Sequence, residues 1–111
     1  MFSIYTGHFA YNKVSILQNA PYGIGIYYCG VVLKDGKLYP AYIGRAKGNG
    51  VTICSRLLDH IRDDNWPDIT HFGYRPCITG QEAEDLEIQE IRNYKPKYNT
   101  QWNTFKTLLG G

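Results

Sequence analysis

Two β-rich segments joined by an Asp35-Gly36 turn constrain this chain more than any other sequence feature. Residues 24–33 (IGIYYCGVVL) and 37–44 (KLYPAYIG) contain the β-branched and aromatic residues that favour strands. Asp-Gly between two such segments is the strongest short signal for a β-hairpin. Pro40 has no amide proton to donate, so we expect the second strand to be an edge strand or to carry a bulge.

The register of the hairpin follows from the turn, because two turn residues would place Lys34 opposite Lys37. Counting back, Tyr27 would lie opposite Gly44, unless a bulge breaks the count. Side chains alternate along a strand, so the rings of Tyr27 and Tyr42 would be diagonal neighbours on one face. Such a pair is by default aromatic packing, and a role in proton transfer would require a lowered phenol pKa.

Residues 51–64 (VTICSRLLDHIRDD) predict an amphipathic helix that the following NWPD segment breaks. Its apolar stripe consists of Ile53, Leu57, Leu58 and Ile61. Arg56 and His60, four residues apart, lie together beside this stripe. They form either a solvent-facing edge that pairs with Asp59 or Asp63, or a phosphate-binding arginine next to a proton-transferring histidine.

A second helix should run from about Gly80 to Tyr94 and end before Pro96. Thr79 is its expected N-cap, with the glutamate of a capping box three residues later. Between the two helices, residues 69–78 (ITHFGYRPCI) alternate weakly in polarity and predict a third strand.

Glu87 lies on an otherwise apolar stripe of this second helix, together with Ala83, Ile91 and Tyr94. A carboxylate in such a stripe is costly unless something pairs with it. The partner could be an arginine, backbone donors or a hard cation. Burial alone favours structural pairing over a metal by about two to one.

The chain has 111 residues, which fits one compact domain, and its net charge of +2 is too small to indicate nucleic acid by itself. The positive side chains cluster beside the segments above: Lys34, Lys37, Arg45, Lys47, Arg56, Arg62, Lys95 and Lys97. A solvated surface of mixed charge explains this clustering about equally well.

Three cysteines, Cys29, Cys54 and Cys77, are far apart and lack a CxxC spacing, which predicts free thiols in a reducing compartment and argues against zinc. No apolar run approaches the roughly 20 residues of a membrane span, and the N-terminus lacks a secretory pattern. We therefore expect a soluble, cytoplasmic protein without a membrane partner.

Five spaced motifs resemble those of the GIY-YIG endonuclease family. Gly25-Ile26-Tyr27 and Tyr42-Ile43-Gly44, with fourteen residues between the two tyrosines (positions 28–41), are similar to the family signature. Further similar motifs follow in the family's order: Arg45-Ala46-Lys47, Arg56-x-x-x-His60, Glu87-x-x-x-Ile91 and Tyr94-Lys95-Pro96-Lys97-Tyr98-Asn99. Each motif alone is weak, but their joint order makes chance improbable.

The resemblance implies an α+β fold, with a three-stranded antiparallel sheet flanked by α-helices. Residues 24–100 would form the nuclease core and residues 101–111 a C-terminal tail; residues 1–23 are expected to be an extension packed on the core, with one short strand or helix. The implied activity is a metal-dependent DNA endonuclease with one divalent cation, Mg²⁺ or Mn²⁺, per active site. DNA is the expected partner, and the chain could form a homodimer or a higher homo-oligomer. The resemblance is compatible with phage, mobile-element, restriction and repair nucleases.

The same resemblance implies a role for each matching residue. Glu87 would hold the cation, and Arg56 would stabilise the charge of the transition state. Tyr27 and Tyr42 would position or deprotonate the attacking water, with the choice of base open, and His60 would assist proton transfer. The implied DNA-binding residues are Arg45, Lys47, Lys95, Lys97 and Asn99, and Asn99 would brace the site through hydrogen bonds.

Two departures from the family pattern bear on these expectations. Arg45 replaces a common lysine, and arginine can bind phosphate or lower a phenol pKa but cannot act as a base. The loop at residues 45–55 and the hairpin are longer than in repair nucleases. The DNA structure or sequence that repair nucleases prefer therefore cannot be assumed for this chain. The alternative is a catalytically inactive nucleic-acid-binding or protein-interaction module, although every catalytic position holds a competent residue.

Overall fold

The computed structural model describes residues 4–99 as a four-stranded antiparallel sheet with three helices packed on it. In chain order the elements are β1 (Thr6–Ala10), α1 (Lys13–Asn19), β2 (Gly25–Val32), β3 (Leu38–Ala46), α2 (Ile53–Asp63), β4 (His71–Pro76) and α3 (Gly80–Tyr94). The strand order is β1-β4-β2-β3, and each neighbouring pair is antiparallel. The predicted α+β class is confirmed.

The sheet has one strand more than the sequence predicted. Residues 6–10, within the N-terminal segment, form β1 and pair with β4. Without β1, β4 would present a row of unpaired N–H and C=O groups. The strand has only five residues and its register is interrupted between Gly7 and Phe9, so little alternation is visible in its sequence. The predicted three-stranded sheet is therefore wrong.

The β2–β3 hairpin closes with three loop residues instead of two. Leu33 donates to the Lys37 carbonyl and accepts from the Gly36 amide, so Leu33, and not Lys34, lies opposite Lys37. Gly36 has a φ of +78°, the left-handed conformation that a three-residue loop of this kind requires. The predicted pairing of Lys34 with Lys37 is wrong, and the actual loop avoids two like charges directly opposite each other.

A bulge restores the predicted register farther from the turn. Ala41 has no partner in β2 and is an extra residue of β3. The bulge offsets the change in loop length, so Tyr27 lies opposite Gly44 as predicted. β3 is an edge strand, which accommodates Pro40 as expected.

Alternation along β2 divides the core into two layers. Tyr27 and Cys29 face α1 and α2, in a cluster that also contains Ile16, Ala20, Ala46, Ile53, Cys54, Leu57, Trp66, Ile69 and Phe72. Ile26 and Tyr28 face α3, in a smaller cluster with Ile43 and Ala83. The sheet therefore separates the α2 side of the molecule from the α3 side.

Both predicted helices form. α3 has the predicted bounds, and the Thr79 hydroxyl accepts from the Glu82 amide at 3.1 Å, one half of the expected capping box. α2 begins one residue after Thr52, which forms a reciprocal capping box with Ser55. The three cysteines are free thiols. No helix within residues 4–99 combines the length and apolarity needed to cross a membrane.

Candidate active site

Side chains from both sides of the sheet meet beside the edge strand β3. β2 and β3 contribute Tyr27 and Tyr42, whose ring centroids are 6.2 Å apart on the α2 side. α2 contributes Arg56 and His60 to the same side. Burial raises the pKa of Tyr42, and the charge of Glu87 on α3 raises it further. Tyr27, Tyr42, Arg56 and His60 thus lie together on the α2 side, and Glu87 is connected to them through Arg45, which borders the same open cleft as Arg56.

Tyr27 is the buried member of the tyrosine pair. Its side chain is fully buried, and its hydroxyl lies 2.9 Å from Nε2 of His60. Burial raises the pKa of Tyr27 well above 10, Tyr42 adds to the rise, and the Arg56 guanidinium opposes it. The ring lies over Gly44, where a Cβ would stand 2.4 Å from the phenol oxygen. Glycine is therefore required at this point of the second motif.

His60 is enclosed by aromatic rings. Only 7 % of the residue is exposed, and the Trp66 ring lies 4.3 Å from the imidazole. Burial lowers the pKa of His60 to about 4, the charge of Arg56 acts in the same direction, and Asp59 and Asp63 oppose it. The imidazole is therefore neutral at pH 7.

Replacing His60 with glutamine should make folding stability less sensitive to acid. The pKa of His60 is about 4 in the fold against an ordinary value of 6.5, so the unfolded chain binds this proton more readily between those pH values. The wild type therefore loses stability through His60 as the pH falls from about 6.5 to about 4, by roughly 1–2 kcal/mol after allowance for solvent screening. Urea unfolding at neutral and acidic pH measures this loss. A stability difference between the two proteins that does not change with pH would contradict the burial of His60.

Arg56 connects the buried rings to an open cleft. Its side chain is 36 % exposed and binds Asp59 at 3.2 Å, which is the surface pairing that the sequence also allowed. The cleft has a volume of about 480 Å³ and is lined by Arg45, Lys47, Gly50, Val51, Ser55, Arg56 and Asp59. The lining holds three cations and one carboxylate, so we call it the cationic cleft; Arg45 also binds Glu84 just outside the lining. Two implied DNA-binding residues, Arg45 and Lys47, thus lie next to Arg56.

Glu87 is half-buried and has no close partner among residues 4–99. Its side chain is 21 % exposed, and its one ion pair there is a long one, 4.0 Å from Nε of Arg45. Arg45 binds Glu84 more closely, at 3.2 Å. Burial raises the pKa of Glu87, Arg45 lowers it and Glu84 raises it again. The fold therefore gives this carboxylate only one long ion pair among the described residues.

Glu90, three residues later on α3, is the more buried carboxylate, and sequence reasoning missed it. It is 8 % exposed and accepts hydrogen bonds from Tyr28 at 2.5 Å, Arg75 at 3.1 Å and Asn93 at 3.2 Å. Tyr28, Arg75 and Glu90 border a larger cavity, of about 530 Å³, on the α3 side of the sheet. The polar groups of Tyr28, Arg75 and Glu90 already hydrogen-bond one another, which is typical of a structural cluster. We therefore regard the cationic cleft as the better candidate site. The sequence favoured such a structural pairing for Glu87, which has only the 4.0 Å ion pair with Arg45 among residues 4–99.

The remaining implied DNA-binding residues lie outside the lining of the cationic cleft. Asn99 is 7 % exposed, and its amide accepts from the Ile43 amide at 2.8 Å and donates to the Ile43 carbonyl at 2.9 Å. It therefore braces the outer edge of β3 beside Tyr42. Lys97 binds Asp68 at 2.5 Å, and Lys95 is the C-cap of α3.

Asn65 and Trp66 are neighbours of the site that sequence reasoning treated only as helix breakers. Trp66 is 9 % exposed and packs on both His60 and Tyr42, the latter at 4.7 Å. Nδ2 of Asn65 lies 2.9 Å from Nδ1 of His60. Their position in the sequence could have indicated this role, because both residues follow α2 closely enough to contact a side chain in its last turn.

A single magnesium-like ion fits the donor chemistry at Glu87. Among residues 4–99, no group of three or more His, Cys, Asp or Glu side chains could hold a metal ion. Mg²⁺, however, usually binds through one or two carboxylates, with waters and substrate phosphates completing its shell. A half-buried carboxylate with oxygens unused by the fold meets that requirement, whereas the fully hydrogen-bonded Glu90 does not.

No protein-family model, curated protein or solved structure matches this chain, so the motifs and the geometry of the site carry its functional assignment.

Proposed function

We propose that this protein is a metal-dependent DNA endonuclease of the GIY-YIG type that hydrolyses phosphodiester bonds beside β3. One observation carries the proposal. Two phenols, a guanidinium and an imidazole lie together, and Arg45 connects the cleft beside them to a half-buried carboxylate, Glu87, that has only one long ion pair among residues 4–99. The four-stranded sheet would be the three-stranded family sheet with β1 added at the β4 edge.

The cationic cleft supports nucleic acid as the substrate. Duplex DNA carries one phosphate charge per about 1.7 Å of axis, and lysine or arginine contacts gain affinity by releasing its counterions. Arg45, Lys47 and Arg56 line the cleft and can contact successive phosphates. Such contacts are independent of sequence, so binding should weaken steeply with salt.

Arg56 is the residue best suited to stabilise the transition state. Asp59 holds Nη1 of its guanidinium at 3.2 Å, and the charge acts on both Tyr27 and Tyr42. A planar guanidinium binds phosphate oxygens in bidentate fashion and strengthens its contact as negative charge develops there.

Tyr42, and not Tyr27, is the phenol that can meet the substrate. Tyr27 is fully buried, whereas Tyr42 is partly exposed and its pKa responds to the charges of Glu87, which raises it, and Arg56, which lowers it. Tyr42 would hydrogen-bond the attacking water and orient it for in-line attack. Tyr27 and His60 would act behind it, by holding the phenol in place.

Glu87 would hold the Mg²⁺ or Mn²⁺ ion, with waters completing the coordination shell. The ion would supply Lewis-acid polarisation of the scissile phosphate. One carboxylate site per chain cuts one strand, so we expect nicks, with double-strand breaks requiring two protomers or two visits.

One observation favours the alternative, a nucleic-acid-binding module without catalysis. Burial raises the pKa of Tyr27 and of Tyr42, so neither phenol is ionised in the free protein at neutral pH. A binding module would retain the cationic cleft and bind DNA without cutting it. A cleavage assay therefore separates the two functions.

Incubation of supercoiled plasmid with the protein and Mg²⁺ or Mn²⁺ should produce nicked circles, and a chelator should abolish the reaction. Arg56→Ala should reduce the rate about a hundredfold, because it removes a contact to the transition state. Arg62→Ala is the matched control: Arg62 lies on the same helix, is 70 % exposed and pairs with Asp59 and Asp63. DNA binding without metal-stimulated nicking would favour the non-catalytic module. If Arg56→Ala and Arg62→Ala both nick plasmid at the wild-type rate, Arg56 is not part of the active site.

A further inference from the structure

The end of α2 returns the chain to the site. Asp64 adopts a left-handed conformation, with φ of +51°, and its amide donates to the carbonyls of His60 and Ile61. The Asn65 amide also points back to the His60 carbonyl, at 3.4 Å. This turn carries the Asn65 side chain over the last turn of the helix, where Nδ2 lies 2.9 Å from Nδ1 of His60.

The contact with Asn65 determines which imidazole nitrogen carries the proton. Nδ2 of an amide can only donate, so Nδ1 of His60 must accept. The imidazole is neutral, because burial lowers its pKa to about 4. Its single proton therefore sits on Nε2 and is donated to the Tyr27 hydroxyl, 2.9 Å away.

We propose that Asn65 is a positioning residue of the active site, which holds the His60 proton on Nε2 and so directs the Tyr27 hydroxyl proton toward Tyr42. The proposal deepens the nuclease function above and rests on it. The hydrogen bonds run from Asn65 through His60 to Tyr27, whose ring lies 6.2 Å from that of Tyr42, the phenol proposed to meet the substrate. Hydrogen bonding with Tyr27 lowers the pKa of Tyr42, against the larger raising effects of burial and of the Glu87 charge, in keeping with this direction.

Packing keeps the imidazole from turning over. The Trp66 ring lies 4.3 Å from it at an interplanar angle of 35°, and the Tyr42 ring lies 5.3 Å away at 65°. A ring flip would exchange Nδ1 for a carbon and break the contact with Asn65. In close-packed surroundings such a flip requires the neighbouring rings to move.

The charged and titratable groups around His60 are few. α2 contributes Arg56, Asp59 and Asp63, and the sheet contributes the phenols Tyr27 and Tyr42. None of the three charged groups is hydrogen-bonded to the imidazole in the described structure. The hydrogen bonds with Asn65 and Tyr27 therefore determine which nitrogen of the His60 imidazole carries the proton.

Nitrogen NMR of the imidazole tests the proposal without any substrate. Long-range ¹H–¹⁵N spectra at neutral pH distinguish a protonated ring nitrogen from an unprotonated one, and His60→Gln assigns the signals among the three histidines. In the wild type, Nδ1 should be unprotonated and Nε2 protonated. In Asn65→Asp, the carboxylate can only accept, so Nδ1 should become protonated. Asn19→Asp, the same change on α1 outside the site, should leave the His60 signals unaltered.

Cleavage kinetics test the positioning role. Asn65→Asp should reduce kcat about tenfold to a hundredfold, as for other residues that orient an active-site group, with KM almost unchanged. A wild-type Nδ1 that carries the proton would overturn the proposal, and so would undiminished kcat in an Asn65→Asp protein with the altered spectrum. If Asn65→Asp does not fold, the wild-type spectrum still decides the tautomer, and Asn65→Ala provides the kinetic comparison. The expected spectrum in a protein that cleaves nothing would confirm the hydrogen bonds but overturn both the positioning role and the nuclease function.

Discussion

Glu87→Gln is expected to lose at least about a thousandfold in metal-stimulated plasmid nicking while folding as well as the wild type. The amide keeps the shape of the side chain but removes the charge that would hold the cation. Burial raises the pKa of Glu87, so the ionised carboxylate is unfavourable in the free fold and its loss should leave the melting temperature equal or higher. Plasmid nicking and thermal unfolding of the same preparation measure both effects.

Asp85→Asn is the matched control for this prediction. Asp85 is an exposed carboxylate on the same helix whose hydrogen-bond partner is the neighbouring Gln81 side chain, at 2.9 Å. The control should nick plasmid at the wild-type rate. A Glu87→Gln protein that also nicks at that rate would show that the metal, if one is used, is held elsewhere.

Glu90→Ala is expected to destabilise the fold by about 3 kcal/mol, because it removes a largely buried ion pair together with the hydrogen bonds that Glu90 accepts. Glu90 is 8 % exposed and accepts from both Tyr28 and Arg75, whose side chain is 21 % exposed. Urea or guanidinium unfolding at neutral pH measures the loss. The folded fraction of the variant should nick plasmid at close to the wild-type rate, since Glu90 lines the cavity beside Tyr28 and Arg75 and not the cleft that contains Arg56.

Glu84→Ala is the control for Glu90→Ala. It breaks an ion pair on the same helix, but the side chains of Arg45 and Glu84 are 34 % and 44 % exposed. Such surface pairs contribute less than about 1 kcal/mol. Equal destabilisation by the two variants would contradict the structural role of Glu90.

The contrast between Glu87 and Glu90 separates function from folding within one helix. Both carboxylates are partly or largely buried on α3, three residues apart. Glu90 is satisfied by three hydrogen bonds from the fold, whereas Glu87 has one long ion pair. A half-buried carboxylate that the fold leaves unsatisfied is unfavourable for stability, which is why Glu87 is the better candidate for a functional ligand.

Local sequence determined most of the secondary structure, because its signals depend on neighbouring residues. The capping threonine and Pro96 predicted the bounds of α3, and the apolar periodicity predicted α2. The hairpin register near Tyr27 was also predicted correctly. The three-residue loop shifts the pairing by one residue and the Ala41 bulge shifts it back, so the two changes cancel. Residues 1–23 were expected to contain one short strand or helix, but the pairing of β1 with β4 was not predicted, because a short, irregular strand is stabilised by the edge it pairs with and not by its own pattern.

The spacing of the motifs identified candidate residues, but only the tertiary structure decided what each one contacts. From sequence, Tyr27 and Tyr42 were equivalent; the packing of α2 over the sheet buried Tyr27 and left Tyr42 partly exposed. Glu87 and Glu90 differ by less than one helical turn, but Glu90 lies 3.1 Å from the strand residue Arg75, whereas Glu87 lies 4.0 Å from Arg45, which binds Glu84 more closely. Burial and hydrogen-bond partners come from elements distant in the chain, so no local pattern of residues contains them.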